Sequence, residues 1–192
     1  MRRIIQLRNF LSKAECTALI ERLESEGFRE QFSGDRDRVV RARCVYEDRE
    51  LAQSYWERIQ SHVPDLSDTY TDGFSPYPHL HAPLKNFQSC GLNEVLRCYK
   101  YLPGEQFRRH EDFAFEWSET RRTFYTVLFY LNDAFTGGET TFDHTMVTPE
   151  TGLAVIFPHE LYHCGNRVET GVKYALRSDV IFEVPPQRLN AG

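Results

Sequence analysis

The spacing of apolar positions along this chain of 192 residues changes once, from helical periodicity near the N-terminus to alternation in the second half. The short run Ile4-Ile5-Gln6-Leu7, followed by Phe10, predicts an opening strand. Ser12 is a good helix N-cap, and Glu15 three residues on completes a capping box. Behind it Ala14, Ala18, Leu19 and Leu23 recur at helical spacing, with Cys16 beside them, and Gly27 is a stop signal. A second helix is predicted over residues 49–62, with Leu51, Tyr55 and Ile59 on one face and Pro64 beyond its end.

Residues 64–92 lack either period. They carry Pro64, Pro76, Pro78 and Pro83 together with Gly73, Tyr70, Phe74 and Tyr77, the composition of an ordered flap over a site. From residue 93 the pattern is mostly β. Predicted strands are EVLRCYKY, FRRHEDF, RTFYTVLFYLN, ETTF, LAVIFP and KYALRSDVIFEV. The turns between them hold Pro103-Gly104, Gly137-Gly138, Pro149 with Gly152, and Gly165-Asn166. Short strands separated by such turns predict a sandwich or jelly roll.

Composition narrows the function classes. A formal net charge of −5 argues against a general nucleic-acid footprint, and the arginines between Arg36 and Arg43 are expected as a solvated surface stretch. Five cysteines without a CxxC pair argue against a disulfide framework and a structural zinc site. The N-terminus has no apolar signal region, and no run approaches the ~20 apolar residues of a membrane span. A reducing, cytoplasmic setting without membrane or nucleic-acid partners is the expectation.

His110 and Asp112 lie two apart in a predicted strand, where alternation turns both to one face and Glu111 to the other. An imidazole and a carboxylate so placed can share one ion. A second histidine from a neighbouring strand would complete a facial triad with open positions, the arrangement of non-haem iron(II) oxygenases. His159 and His163 are both within reach, at the end of LAVIFP. His62 and His144 stand alone, and His79 and His81 form an HxH pair that lacks a third partner at suitable spacing.

The surrounding motifs carry a resemblance. Tyr101-x2-Gly104-x2-Phe107-x2-His110-x-Asp112 is followed by Tyr130-Leu131-Asn132, then Gly137-Gly138-Glu139-Thr140, then His163-x9-Lys173. In this order and spacing the chain resembles the prolyl 4-hydroxylase group of iron(II)- and 2-oxoglutarate-dependent dioxygenases, and RNFLSKAEC looks like the start of such a domain. The resemblance implies an α+β fold with a double-stranded β-helix (jelly roll) core and N-terminal helices packed on one sheet. It implies one domain over 1–192, with helical support in 1–63, the flap in 64–92 and the roll in 93–185.

The resemblance also implies Fe(II), 2-oxoglutarate and O2 as cofactor and co-substrates, with ascorbate as a reductant. His163 is the third ligand, because Lys173 follows it at the family's distance from distal ligand to co-substrate anchor; His159 is left to shape the turn. Lys173 would pair the distal carboxylate of 2-oxoglutarate, with Tyr101 and Tyr130 beside it. Alternation places Lys173, Ala175, Arg177 and Asp179 on one face of a strand. Arg177 departs from the threonine common there, and can serve the co-substrate, the substrate, or Asp179 as a structural pair. The implied activity is hydroxylation of an unactivated C–H, with peptidyl proline the first substrate and a free amino acid or small metabolite the alternative. Two further readings are a non-catalytic jelly-roll sensor and a cupin-like metalloenzyme that does not use 2-oxoglutarate. Consumption of 2-oxoglutarate separates them.

Overall fold

The structure is a computed structural model and describes residues 3–32, 39–70, 80 and 83–189. Its helices are α1 (Lys13–Glu26), α2 (Arg49–Ile59), α3 (Leu66–Thr69) and α4 (Pro186–Leu189). The strands are β1 (Ile5–Leu7), β2 (Arg29–Phe32), β3 (Val39–Glu47), β4 (Gln88–Leu92), β5 (Val95–Tyr101), β6 (Gln106–His110), β7 (Glu116–Ser118) and β8 (Arg121–Tyr130). They continue with β9 (Phe135–Gly137), β10 (Thr140–Phe142), β11 (Met146–Val147), β12 (Ala154–Pro158), β13 (His163–Gly165), β14 (Val168–Gly171) and β15 (Lys173–Glu183).

Hydrogen bonding runs in the order β1-β12-β8-β15-β5-β3-β6-β13-β10-β11, antiparallel throughout. The long ladder of β8 with β15 is the spine of a large sheet, and β6, β13 and β10 form a smaller one facing it. Strand β3 links the two, pairing with β5 over Ala42–Glu47 and with β6 at Val39 and Val40. This is the jelly roll that the sequence predicts.

Helix α1 begins where its sequence says it should. The Glu15 amide donates to Ser12 Oγ at 3.2 Å, while the Ser12 amide donates to Glu15 Oε2 at 2.7 Å. It ends at Gly27, whose φ of +86° suits glycine and whose N–H reaches Leu23 O. Together with α2 it covers the outer face of the large sheet. Tyr55 packs on Phe129 at 5.1 Å between ring centroids and Phe10 on the same ring at 5.5 Å, over a core that includes Leu19, Leu23, Ile59 and Leu176. Tyr130, Phe142, Val155 and Phe157 form a second core inside the roll. Because β8 is covered on both faces, its run from Arg122 to Val127 is buried without alternation.

Three expectations need correction. The first 63 residues are not purely helical, since β2 and β3 form a hairpin that joins the sheet. Its five arginine and glutamate side chains at 29, 30, 41, 43 and 47 hide the apolar alternation that marks a strand. The arginine run is not simply solvated, because Arg41 is buried at 6% exposure; Arg36 and Arg38 lie outside the described residues. Within the expected flap, Leu66–Thr69 is a helical turn and Gln88–Leu92 is a strand paired with β15. Residues 71–79, 81 and 82, with His79 and His81, lie outside the described residues. No helix among the described residues is long and apolar enough to cross a membrane.

Candidate metal centre

His110 and His163 are cross-strand partners at the ends of β6 and β13, with ring centroids 4.3 Å apart. Each ring's Nδ1 lies 2.8 Å from a backbone carbonyl two residues back, Arg108 O for His110 and Leu161 O for His163. A carbonyl only accepts, so Nδ1 carries the proton in both rings and Nε2 presents its lone pair. Both lone pairs meet Asp112: His110 Nε2 is 3.7 Å from Oδ1 and His163 Nε2 is 3.8 Å from Oδ2. Ligand atoms from the three residues lie within 4.8 Å of one another. Burial, followed by the charge of His163, pushes His110 down to about 4, and burial also lowers His163. Both imidazoles are therefore neutral at pH 7. Two neutral imidazoles and one carboxylate are the donor set that an iron(II) ion takes in a facial triad, so the residues present fit that ion.

Asp112 reaches this position by a route other than strand alternation. Strand β6 ends at His110, and Asp112 is turned inward by its own N–H, which donates to His159 O at 2.9 Å. Its two oxygens are held from opposite sides. Arg177 Nη1 donates to Oδ1, and Thr126 Oγ1 donates to Oδ2 at 2.5 Å. Burial is the largest single influence and disfavours the carboxylate, but Arg177, His163, His159 and Thr126 together outweigh it and hold Asp112 below the usual range.

Behind Asp112 runs a directional chain of hydrogen bonds. Thr126 gives its only hydroxyl proton to Asp112, so its 2.9 Å contact with His159 Nδ1 requires Nδ1–H to be the donor. His159 Nε2 then accepts from Thr123 Oγ1 at 2.9 Å, and Thr123 Oγ1 accepts from the Phe115 amide. Burial pushes His159 down to about 4, which keeps it in this neutral form. His159 thus lies outside the triad and does more than shape a turn. Thr126 and Thr123 were not singled out in the sequence; two hydroxyls in the apolar run of β8 were the available signal.

Lys173 opens β15 directly opposite Tyr101 of β5 and is 4% exposed. Its Nζ donates to Gly138 O at 2.6 Å and lies over the rings of Tyr101 at 5.2 Å and Tyr130 at 5.3 Å. Burial pushes its ammonium down to about 8, partly offset by Glu139. The chamber between the two sheets is lined by all three triad residues, Lys173, Arg177, Tyr99, Tyr101 and Phe107. An ammonium with one acceptor in a largely aromatic wall fits the distal carboxylate of 2-oxoglutarate. Tyr130 is less directly placed, since its hydroxyl donates to Thr140 Oγ1 at 2.6 Å. Arg177 is engaged with Asp179 at 2.9 Å as well as with Asp112, and Asp179 also pairs with Arg97 at 2.8 Å.

Comparison with known proteins agrees with this geometry. Residues 96–178 match the 2OG-Fe(II) oxygenase superfamily. No curated protein sequence matches the chain. Among solved structures, the viral collagen prolyl hydroxylase of Paramecium Bursaria Chlorella virus-1, in complex with 2OG, superposes with a TM-score of 0.62 at 18% identity, covering 94% of this chain and 96% of that one. A Pseudomonas putida prolyl-4-hydroxylase gives 0.61 at 17%, covering 94% and 93%. A Trichoplax adhaerens prolyl hydroxylase, in complex with a hypoxia inducible factor peptide fragment, gives 0.60 at 16%, covering 98% and 87%. These likenesses establish the shared fold. The superfamily takes Fe(II), 2-oxoglutarate and O2, and the matched segment 96–178 is the one that holds the triad and Lys173.

Proposed function

We propose that this chain hydroxylates an unactivated C–H bond, releasing succinate and CO2, with a prolyl side chain as the first substrate to test. The observation that carries the reading is the enclosure of Lys173 in one chamber with His110, Asp112 and His163. When bound, iron and 2-oxoglutarate supply the oxidative decarboxylation that activates dioxygen. The chain supplies the setting. His110 and His163 offer Nε2 because their Nδ1 protons are committed to carbonyls. Arg177 and Thr126 keep Asp112 ionised and fix its two oxygens. Lys173 would pair the distal carboxylate, while Tyr99, Tyr101 and Phe107 exclude water around it. The prolyl substrate is supported by the names of the structural neighbours and by the motif order.

The test is single turnover. Protein loaded anaerobically with iron(II) and 2-oxoglutarate is exposed to air, and succinate is measured with and without proline-containing peptides. Slow succinate release without substrate, accelerated by a peptide, supports the reading. Iron binding with no loss of 2-oxoglutarate would overturn it.

A further inference from the structure

We propose that Arg41 is the receptor for a carboxylate on the substrate, in a subsite next to the iron chamber. The inference rests on the oxygenase reading above and adds the chemical class of what is oxidised. Arg41 sits at the corner of the roll, between the β3 residues that pair with β5 and those that pair with β6. Arg43 lies directly opposite Tyr99, and Arg41, two residues away, shares that face. Its guanidinium stacks on two chamber-lining rings, 3.6 Å from the centroid of Phe107 and 4.8 Å from that of Tyr99.

Stacking satisfies the faces of a guanidinium but not its donors, which lie in the plane of the group. Arg41 is 94% buried, and its Nε and Nη1 have no hydrogen-bond partner. A buried charge is stable only when paired and hydrogen-bonded. The two cations that line the chamber meet that requirement: Arg177 has Asp112 and Asp179, and Lys173 has Gly138 O with the distal carboxylate of 2-oxoglutarate to come. The remaining carboxylate of that co-substrate would be taken up at the metal. Arg41 is thus a cation left over once the co-substrate is seated, and an anion from a different molecule completes it. Phe107 touches both His110, with ring centroids 3.8 Å apart, and Arg41. A carboxylate at Arg41 would therefore lie one ring away from His110.

The carboxylate can belong to a free acid or to an acidic residue of a peptide, and a binding experiment separates these. Protein loaded anaerobically with iron(II) and 2-oxoglutarate is titrated in a calorimeter with L-amino acids, linear dicarboxylic acids, and short peptides containing Asp or Glu, each against its amide. At least one carboxylate should bind tenfold or more tightly than its amide, and the family of probes that does so names the source. Arg41→Gln should erase that preference and Arg41→Lys should keep part of it. The 2-oxoglutarate affinity of Arg41→Gln should fall by a smaller factor than that of the probe. The proposal is overturned if no carboxylate is preferred, if Arg41→Gln retains the preference, if the probe displaces 2-oxoglutarate, or if both affinities fall together. Should Arg41→Gln not fold, a several-fold loss of preference in Arg41→Lys is the required result. Succinate release in air without any probe reports the oxygenase reading independently.

Discussion

Arg177 and Thr126 grip Asp112 from opposite sides, one on each carboxylate oxygen. A carboxylate held in this way has a fixed plane and offers an incoming ion one remaining lone pair on each oxygen. Thr126→Val should remove the Oδ2 donor, disconnect the His159 ring from the Asp112 carboxylate and lower iron(II) affinity by ~10–100-fold, the usual effect of losing a partner of a metal ligand. Anaerobic titration with a competing chelator measures this. An unchanged affinity would mean that Arg177 alone positions the carboxylate.

Arg177→Met addresses the other side of the grip. The substitution leaves Asp112 and Asp179 buried with one cation fewer, and removal of one partner from a buried ion pair costs about 3–5 kcal/mol. Arg97 still holds Asp179 at 2.8 Å, so the loss should fall at the lower end of that range. Urea unfolding of the apoprotein at pH 7.5 provides the measurement. A loss below ~1 kcal/mol would show that the pair is not formed in solution.

Lys173 makes co-substrate binding depend on pH. Burial places its ammonium at about 8, and only the charged form pairs a carboxylate. Affinity for 2-oxoglutarate should be level below pH 8 and weaken up to about tenfold per pH unit above it, because binding then requires proton uptake. Lys173→Ala should weaken 2-oxoglutarate ~10–100-fold, flatten this slope and affect iron(II) far less. Equal losses of both would place the anchor elsewhere.

His159 gives the fold an acid limit. Its neutral form is built into the hydrogen-bond chain, so its folded pKa is depressed from 6.5 to about 4. The unfolded chain binds the proton first. Stability is therefore fully present above about pH 6.5 and is lost as pH falls toward 4, by up to ~3 kcal/mol at ~1.4 kcal/mol per unit. Between pH 7.5 and 5, His159→Gln should lose roughly 2 kcal/mol less than the wild type. Parallel losses in both proteins would assign the acid limit to other groups.

Gly138 connects the turn to the anchor. At its φ of +69° a side chain is strained, and an added Cβ would lie 3.2 Å from Lys173 Cδ and 3.0 Å from the Phe135 ring. Gly138→Ala should cost ~1–2 kcal/mol and weaken 2-oxoglutarate several-fold while leaving the triad in place. Calorimetry with the co-substrate, alongside iron titration, tests whether the two effects separate.

Much of this was legible in the chain because strands β5, β8, β12 and β15 are long, apolar and bounded by turn residues. The spacing from His163 to Lys173 joins two residues that line one chamber, whereas His159 turns away to Thr123 and Thr126. Strand alternation does not explain how Asp112 comes to face the histidines, because the strand stops at His110 and a backbone hydrogen bond turns the aspartate inward. Strand β3 was missed for a physical reason. Arginines disguise a strand when stacking on rings, rather than solvation, accommodates them, and stacking partners far along the chain leave no local periodicity. The hydroxyl partners of Asp112 were invisible for a related reason, as a threonine suits any strand until its neighbours are known.

The link made by β3 bears on how the protein comes apart. The histidines are direct cross-strand partners within the smaller sheet, whereas Lys173 belongs to the larger one, and β3 is the strand that joins the two along the ladder. Loosening at β3 would widen the gap between anchor and triad without separating one histidine from the other. Under mild denaturant, therefore, the protein should lose its grip on 2-oxoglutarate before it loses iron, passing through a species that is still metallated but deaf to its co-substrate.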